Sequence, residues 1–150
     1  AGPAALAADV CRLVVLGDSV AEAEASEGVG VGRAGAGSGA AGLRQLDALL
    51  AELAGALPVT LLPGRADPAT LALPQQPLHA CLLPRAARRG GLTLAPNPHS
   101  CAVGGVRLLC HAGQPLADLE KYVAPRGRLE LLAATAGWAH LAPTTPDTLG

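Results

Sequence analysis

The stretch Leu61–Pro84, LLPGRADPATLALPQQPLHACLLP, decides how the chain is arranged, because it begins where a short apolar run meets a tight turn. The run Val59–Leu62 is typical of a strand, and Pro63 with Gly64 marks its end. Glycine adopts positive φ at no steric cost and proline fixes its own φ, so residues 64–68 are predicted to form a rigid loop. In α/β proteins, sites are usually built from such loops at the carboxyl ends of strands.

The second half of this stretch alternates prolines with leucines and fits no regular helix or strand of useful length. It is also too apolar to be a solvated linker, so we expect it to lie against the body of the domain. Its leucines are candidates for exposed anchors in a protein interface, although the sequence does not distinguish them from core residues. These candidates are Leu71, Leu73 and Leu78.

Two patterns upstream predict a pair of parallel strands joined by a helix. Cys11–Leu16 is a continuous apolar run with β-branched residues, which suits a strand buried on both faces. Leucines at a 3-4-3-4 spacing from Leu43 to Leu57 predict a helix from Ala40 onward, with Asp47 among the polar residues that point away from the leucine face. Strand, loop, helix and strand in this order predict a crossover connection between parallel strands.

The rest of the chain predicts an antiparallel hairpin and two further helices. Gly104 and Gly105 separate two apolar runs, as in a two-residue hairpin that needs positive φ at both positions. On the last helix, Leu129, Leu132 and Ala136 are expected to face inward. The predicted fold class is therefore α/β, with mixed sheets flanked by helices. The predicted elements are a strand at Leu92–Leu94, a hairpin of Cys101–Val103 with Val106–Cys110, a helix from Pro115 to about Val123 and a helix at Arg128–His140.

Residues 22–40, EAEASEGVGVGRAGAGSGA, form a glycine-rich, low-complexity segment. Such a segment buries too little apolar surface to offset the entropy lost on ordering, so we predict a mobile insertion. Its glycines lack both the GxGxxG spacing at the start of a helix and the Lys-Ser or Lys-Thr pair of phosphate-binding loops. A nucleotide site is therefore not expected here.

Composition and charge exclude several classes of protein. A chain of 150 residues fits one domain, and a net charge of −1 gives no electrostatic footprint for nucleic acid. The basic cluster Arg85, Arg88 and Arg89 is interpreted as a solvated turn, with a patch for phosphate or an acidic partner as the alternative. No window is long and apolar enough for a membrane helix, and we expect no signal peptide in this sequence.

The four cysteines occur at spacings that include no CxxC pair. This pattern predicts reduced, largely buried thiols of an intracellular protein rather than a zinc site or a set of disulfides. The cysteines are Cys11, Cys81, Cys101 and Cys110.

Two strings, PQQPLH at residues 74–79 and APTTPDTLG at residues 142–150, are long and rare enough to be specific. They closely resemble the small, B-type accessory subunits of replicative DNA polymerase delta, and the similarity runs from about Cys11 to Gly150. Such subunits carry a fold like that of the calcineurin-type metallophosphoesterases. The resemblance implies that residues 1–150 are a partial phosphoesterase-like domain, incomplete at both ends. Its signature residues are Pro74, Gln75, Gln76, Pro77, Leu78, His79, Pro146, Asp147 and Thr148.

The same resemblance implies where active relatives would hold two metal ions. Gly17-Asp18 resembles their GD motif, and Asp18 would bridge the metals. His111 follows a predicted strand at the place where active members keep a ligand histidine. A residue at the end of a strand whose polar atoms are satisfied by backbone or water is the alternative for His111. The DxH and GHxH motifs of active members do not occur in the chain.

The motif after the second strand is the one that departs from the pattern. Gly64 and Asp67 match its ends, but Arg65 stands where the ligand asparagine would be and Ala66 where the catalytic histidine would be. The guanidinium group of Arg65, if directed inward, would repel the metal cation that the asparagine of active members binds. We therefore expect no catalytic residue, no bound metal and no cofactor, with Asp18, Asp67 and His111 as degenerate remnants.

By resemblance, the function is that of a non-catalytic accessory or scaffold subunit of DNA polymerase delta in the nucleus. It would connect the carboxyl-terminal region of the catalytic subunit to further accessory subunits in DNA replication and repair synthesis, and would meet DNA only indirectly. Two alternatives remain open. One is an active metal-dependent phosphoesterase, and the other is a DNA-binding module that uses Arg85, Arg88 and Arg89.

Overall fold

A computed structural model of the chain describes residues 10–20, 36–123 and 127–149. The described strands and α-helices follow one another in the order that the sequence predicts. They are β1 (Leu13–Leu16), α1 (Ala36–Ala56), β2 (Val59–Leu62), a 3-10 helix (Ala80–Leu82), β3 (Leu92–Leu94), β4 (His99–Val103), β5 (Val106–Cys110), α2 (Gln114–Leu119) and α3 (Arg128–Gly137).

The first sheet is parallel and has the order β1-β2-β3, with Leu13 opposite Val59 and Val59 opposite Leu92. Its central strand β2 is buried along its whole length, because it has a strand on each side and packs against α1. Parallel pairing of β1 with β2 through α1 confirms the predicted crossover. All three strands end at the same edge of the sheet, and this edge carries the loops of the candidate site.

Helix α1 begins at Ala36, earlier than predicted, so residues 36–40 of the expected mobile insertion are helical. Alanine favours the helix and glycine only weakens it, so the alternation of alanine with small residues does not stop the helix at residue 40. Residues 22–35 of the predicted insertion lie outside the described residues. Leu50 and Ala54 of α1 are buried against the parallel sheet.

The expectation that Asp47 points away from the leucine face is wrong. Its carboxylate is buried and accepts hydrogen bonds from the backbone N–H groups of Arg85 (3.0 Å to Oδ1) and Ala86 (2.8 Å). Asp47 lies four residues after Leu43 and three before Leu50, so the helical spacing itself puts it on the inward face. The helix and the proline-rich stretch are joined at this carboxylate.

The proline-rich stretch lies against the sheet, as expected, and contains only the short 3-10 helix. Leu78 and Leu83 are buried in the same core as α1 and β2. The proposal of Leu78 as an exposed anchor is therefore wrong, because this side chain fills the core instead. Leu71 is 75% exposed, and Leu73 is half-buried.

Strands β4 and β5 form a separate antiparallel pair, and this confirms the predicted hairpin. Gly104 and Gly105 have φ of 57° and 82°, as the two-residue turn requires. The fold is mixed α/β, with a parallel and an antiparallel sheet and helices. Several apolar side chains of β5 are exposed, namely Val106, Leu108 and Leu109.

Helix α3 presents the opposite face to the one predicted. Leu131 and Thr135 are buried, whereas Leu129 is 82% exposed and Leu132 and Ala136 are exposed as well. Helix α2 ends at Leu119, short of the predicted Val123, and the chain continues there in turns.

The cysteines are free thiols, as predicted, but the expected burial is wrong. Cys11 and Cys81 are exposed and Cys101 and Cys110 are half-buried, because none of them lies on the central strand or on the inward face of α1. In the part of the chain that the structure describes, no helix combines the length and apolar character needed to span a membrane.

Candidate functional site

The loops after β1 and β2 touch at the carboxyl edge of the parallel sheet. A Cβ atom placed on Gly17 would lie 2.5 Å from the Gly64 Cα, and one placed on Gly64 would collide with the Asp18 nitrogen. Glycine is therefore required at both positions, because any side chain would force the two main chains apart. Gly17 and Asp18 both have positive φ, of 80° and 51°. This turn directs the Asp18 side chain back toward the β2 loop.

Asp67 holds the two loops together. It is 4% exposed, and its Oδ1 accepts the backbone N–H groups of Ser19 (2.9 Å) and Val20 (3.1 Å). Its Oδ2 accepts the N–H of Gly64 (2.8 Å). Both carboxylate oxygens are thus engaged by main-chain donors, which satisfies the buried charge without a cation.

Asp18 makes the reciprocal contact from the β1 loop. Its Oδ1 accepts the N–H of Ala66 at 2.8 Å, while the residue as a whole is exposed. The structure thus brings Asp18 and Asp67 into neighbouring loops. Each carboxylate crosses to the main chain of the other loop.

Gln75 of the PQQPLH string is completely buried behind these loops. Its Nε2 donates to the carbonyl oxygens of Gly64 (3.1 Å) and Thr70 (2.7 Å). Its Oε1 accepts from Asn97 Nδ2 (2.7 Å) and Gln114 Nε2 (2.8 Å). Every polar atom of this side chain is therefore paired, as a buried amide requires.

Asn97 connects the same network to two more loops. Its main chain exchanges hydrogen bonds with Gln75, from Gln75 N to Asn97 O (2.7 Å) and from Asn97 N to Gln75 O (3.1 Å). Its Oδ1 accepts the N–H of Ala112 at 3.2 Å. Neither Asn97 nor Gln114 is among the site residues that the sequence predicts. The available signal was a polar residue between two prolines, Pro96 and Pro98, directly after a strand.

His111 lies after β5, as predicted, and its side chain is turned to its own loop. Its Nδ1 accepts the N–H of Gly113 at 3.1 Å, so the proton of the neutral ring is on Nε2. Partial burial lowers the pKa of His111 below its ordinary value. Among the described residues it makes no side-chain hydrogen bond to Asp18 or Asp67. The structure therefore places it beside the site without joining it to the two carboxylates.

Arg65 and Ala66 are both exposed, and Arg65 lines a cleft of about 470 Å³, which we call the loop cleft. The loop cleft lies between the β1 and β2 loops, helix α2 and the carboxyl-terminal segment. It is lined by Asp18, Arg65, Leu71, Ala72, Ala112, Gly113, Gln114, Leu116, Ala117, Asp118, Lys121, Arg128, Thr148 and Leu149.

Asp118 anchors the carboxyl-terminal signature segment to helix α2. Its buried carboxylate accepts from Lys121 Nζ at 2.8 Å and from the hydroxyl groups of Thr144 and Thr148. The Lys121 hydrogen bond, followed by those of Thr144 and Thr148, lowers the pKa of Asp118 from 3.8 to about 2. Thr148 therefore has a structural role in this segment, while Pro146 and Asp147 are exposed.

The remaining signature residues are divided between surface and core. Pro74, Gln76 and Pro77 are exposed, and Leu78 is buried in the core. His79 begins the 3-10 helix, where its Nδ1 accepts the N–H of Cys81 at 3.2 Å. None of these contacts brings a side chain of the PQQPLH string into the loop cleft.

The basic cluster lies in the turns after the 3-10 helix. Arg85, Arg88 and Arg89 are all exposed, and none forms an ion pair within the described ranges. Asp47 binds the main chain of Arg85 rather than its guanidinium. No ion pair or side-chain hydrogen bond of the described residues joins the cluster to the loops that hold Asp18 and Asp67.

No three side chains of the His, Cys, Asp and Glu types are grouped so that they could hold a metal ion in the described part of the chain. The carboxylates at the sheet edge instead bind main-chain N–H groups.

The family profile that describes the B subunits of DNA polymerases alpha and epsilon matches residues 4–150. The chain therefore belongs to this family of B subunits, whose members are parts of DNA polymerase complexes. This confirms the resemblance seen in the PQQPLH and APTTPDTLG strings.

Individual relatives of the chain are subunits of DNA polymerase delta. The chain is 38% identical over 97% of its length to a DNA polymerase delta small subunit of Oryza sativa subsp. japonica. It is 42% identical over 72% of its length to the small subunit of Arabidopsis thaliana, and 37% identical over 95% to DNA polymerase delta subunit 2 of Drosophila melanogaster. It spans 34%, 24% and 34% of the length of these three relatives, which is about a third or less.

Proposed function

We propose that the protein is a non-catalytic accessory subunit of DNA polymerase delta, built on a calcineurin-like phosphoesterase fold whose metal site has degenerated. Three relatives that match most of the chain carry the name of the small subunit or subunit 2 of this polymerase. A parallel sheet with the loops of Asp18 and Asp67 at its carboxyl edge, together with an antiparallel hairpin, is consistent with that fold. The proposed place of action is the nucleus, in DNA replication and repair synthesis.

The hydrogen bonding of Asp67 is the observation that carries the proposal. A two-metal phosphoesterase needs anionic or imidazole donors directed at two cations about 3.5 to 4 Å apart. Asp67 directs both oxygens at the N–H groups of Ser19, Val20 and Gly64, so a metal would have to compete with three main-chain hydrogen bonds. The residues present therefore do not fit a dinuclear centre.

Arg65 and Ala66 support the same conclusion. Ala66 has no side chain that binds a metal or transfers a proton, and Arg65 brings a permanent positive charge to the loop. Two unit charges about 4 Å apart interact by about 4 kcal/mol at an effective dielectric of 20, and a dication doubles this value. A cation bound beside Arg65 would be repelled by that order of energy.

A fold that has lost its chemistry can still present a surface for other proteins. In the proposed role, the chain connects the carboxyl-terminal region of the catalytic subunit to further accessory subunits, and it contacts DNA only indirectly. The buried Gln75 and Asp67 networks keep the loops in one conformation, which favours a preformed interface over one that must order on binding.

Capture of the catalytic subunit tests this proposal. The full-length protein that contains this chain is immobilised and offered the carboxyl-terminal region of the DNA polymerase delta catalytic subunit. Stoichiometric capture is expected, and it should survive the exposed substitution Arg44→Glu on helix α1. Failure of the unsubstituted protein to capture this region would contradict the proposed function.

A further inference from the structure

We propose that the loop cleft is a docking site for a short acidic peptide segment of a partner subunit, with an aliphatic side chain beside its carboxylates. This inference rests on the proposed function, because it names a surface through which an accessory subunit would hold a partner. It follows from the hydrogen-bond donors and acceptors that line the cleft, from its apolar lining and from its size.

Three cationic side chains line the loop cleft, and each has hydrogen-bond donors that no other described side chain accepts. Arg65 forms no ion pair among the described residues. Arg128 uses only its Nε, which donates to Glu120 at 2.9 Å, and its terminal nitrogens make no side-chain hydrogen bond in the described ranges. Lys121 is 62% exposed and uses one of its three donors for Asp118. Guanidinium groups with free N–H pairs match the geometry of carboxylates.

The acceptors of the cleft are in large part already used. Asp118 accepts from Lys121, Thr144 and Thr148, and its charge is compensated there. Asp18 has one oxygen occupied by the N–H of Ala66 and is folded back toward Gly64. The lining therefore offers more free donors than free acceptors, which favours an anionic ligand.

The remaining lining of the cleft is apolar. Leu71 is 75% exposed at this surface, although it is a large aliphatic side chain. Leu116 and Leu149 are half-buried and share the same cleft with three alanines. A volume of about 470 Å³ lies within the range of ligand pockets, roughly 300 to 1,000 Å³. The cleft can therefore receive an aliphatic side chain next to a carboxylate.

A peptide fits this lining better than a single strand of nucleic acid does. Sites for single strands combine cations with aromatic rings on which the bases stack. The lining residues of the loop cleft include no aromatic side chain in the described part of the chain. An acidic peptide can place its carboxylates at Arg65 and Arg128 and an aliphatic side chain against the apolar part of the lining.

Calorimetry with two synthetic peptides tests the proposal. One is an acetylated pentapeptide with a central leucine flanked by two glutamates on each side, and the other carries glutamines instead. Each is titrated into the full-length protein at low salt. The glutamate peptide is expected to bind at least about tenfold more tightly than the glutamine peptide, and Arg65→Glu is expected to remove this difference. Arg65→Lys should retain part of it, and Arg44→Glu, an exposed charge reversal outside the cleft, should retain all of it.

The outcomes separate this proposal from the proposed function. Equal affinity for both peptides, no binding of either, or binding unchanged by Arg65→Glu would overturn the docking site. Binding of a single-stranded oligodeoxynucleotide that depends on Arg65 and excludes the peptide would overturn it as well. If peptide binding behaves as expected while the unsubstituted protein fails to capture the catalytic subunit, the docking site stands and the proposed function falls.

Discussion

The Asp67 carboxylate binds three main-chain N–H groups in two loops. These hydrogen bonds limit which ligands the carboxyl edge of the sheet can bind. A hydrogen bond to a charged group contributes about 1.5 to 3 kcal/mol, and a buried donor left unpaired costs about 1 to 3 kcal/mol. The carboxylate of Asp67 therefore stabilises the contact between the β1 and β2 loops. A ligand that required this carboxylate would have to separate the loops.

Substitution Asp67→Asn tests this role. Asparagine keeps the size of the side chain but replaces one acceptor oxygen by an NH₂ donor. Depending on which oxygen is replaced, this donor faces either the N–H of Gly64 or the N–H groups of Ser19 and Val20. We expect the free energy of unfolding to fall by about 2 to 4 kcal/mol. Urea unfolding of the full-length protein measures the fall, and amide hydrogen exchange at Ser19 and Val20 locates it in the two loops.

The matched control is Asp18→Asn. Asp18 is exposed and accepts a single N–H, and asparagine keeps an acceptor oxygen and tolerates the positive φ of 51° at this position. We expect a change below about 1 kcal/mol. Equal effects of the two substitutions would show that the burial and hydrogen bonding of Asp67 do not have the role assigned to them.

The lowered pKa of Asp118 predicts how the stability of the protein changes at acid pH. Its folded-state pKa of about 2 lies below the ordinary value of 3.8, so its contribution to stability is complete above about pH 4 and is lost as the pH falls toward 2. The melting temperature of the full-length protein should therefore exceed that of Asp118→Asn by a constant amount at pH 7 and pH 5, and by less at pH 3. Asp147→Asn, at an exposed residue, should show no such trend. A difference that grows toward pH 3 would refute the assignment.

At the scale of elements, Asp47 joins helix α1 to the proline-rich stretch. It is buried on α1 and accepts the N–H groups of Arg85 and Ala86, which lie outside any regular element. Irregular backbone packed against a core needs such partners, because its own N–H groups have no ladder or helix to bind.

Asp47→Ala should therefore destabilise the protein. The substitution leaves two backbone N–H groups near the core without an acceptor, and we expect a loss of about 2 to 3 kcal/mol in the free energy of unfolding. Glu52→Ala, on the exposed side of the same helix, should change it by less than about 0.5 kcal/mol. Denaturant unfolding of both variants is the measurement. Similar losses would mean that Asp47 acts through the helix alone.

The orientation of helix α3 gives a second prediction at this scale. Leu131 is 1% exposed, so Leu131→Ala should cost about 2 to 5 kcal/mol, the range for buried leucines. Leu129 is 82% exposed, so Leu129→Ala should stay within about 0.5 kcal/mol. Thermal unfolding of the two variants compares the faces directly. A larger loss of stability for Leu129→Ala than for Leu131→Ala would instead support the buried face that the sequence pattern predicted.

For the whole molecule, local patterns predict the elements better than they predict what joins them. The apolar runs at Cys11–Leu16 and Val59–Leu62, the leucine spacing of α1 and the Gly104-Gly105 turn each predict their element to within a few residues. The predicted burial of the first strand on both faces is wrong, because β1 lies at the edge of the sheet and its Leu16 is exposed. Helix α3 is ambiguous because Leu129, Leu131 and Leu132 occupy both of its faces, so spacing alone does not choose between them.

In the candidate site too, the sequence predicts individual residues better than it predicts the contacts between them. Motif comparison found Asp18, Asp67 and Arg65, because they closely follow strands. It could not show that Asp67 binds the β1 loop, which lies almost fifty residues earlier in the sequence, nor that Gln75 pairs with Asn97 and Gln114. These contacts depend on the three-dimensional arrangement of loops, and no sequence period encodes them.

Calorimetric titration of Mn²⁺ into the full-length protein tests the central claim that the carboxylates at the sheet edge serve the fold rather than a metal centre. We expect no stoichiometric binding, and the same trace for the unsubstituted protein and for Asp67→Asn, since Asp67 already binds Ser19, Val20 and Gly64. Binding of one or two Mn²⁺ ions per chain that Asp67→Asn abolishes, together with turnover of a phosphodiester, would contradict the account.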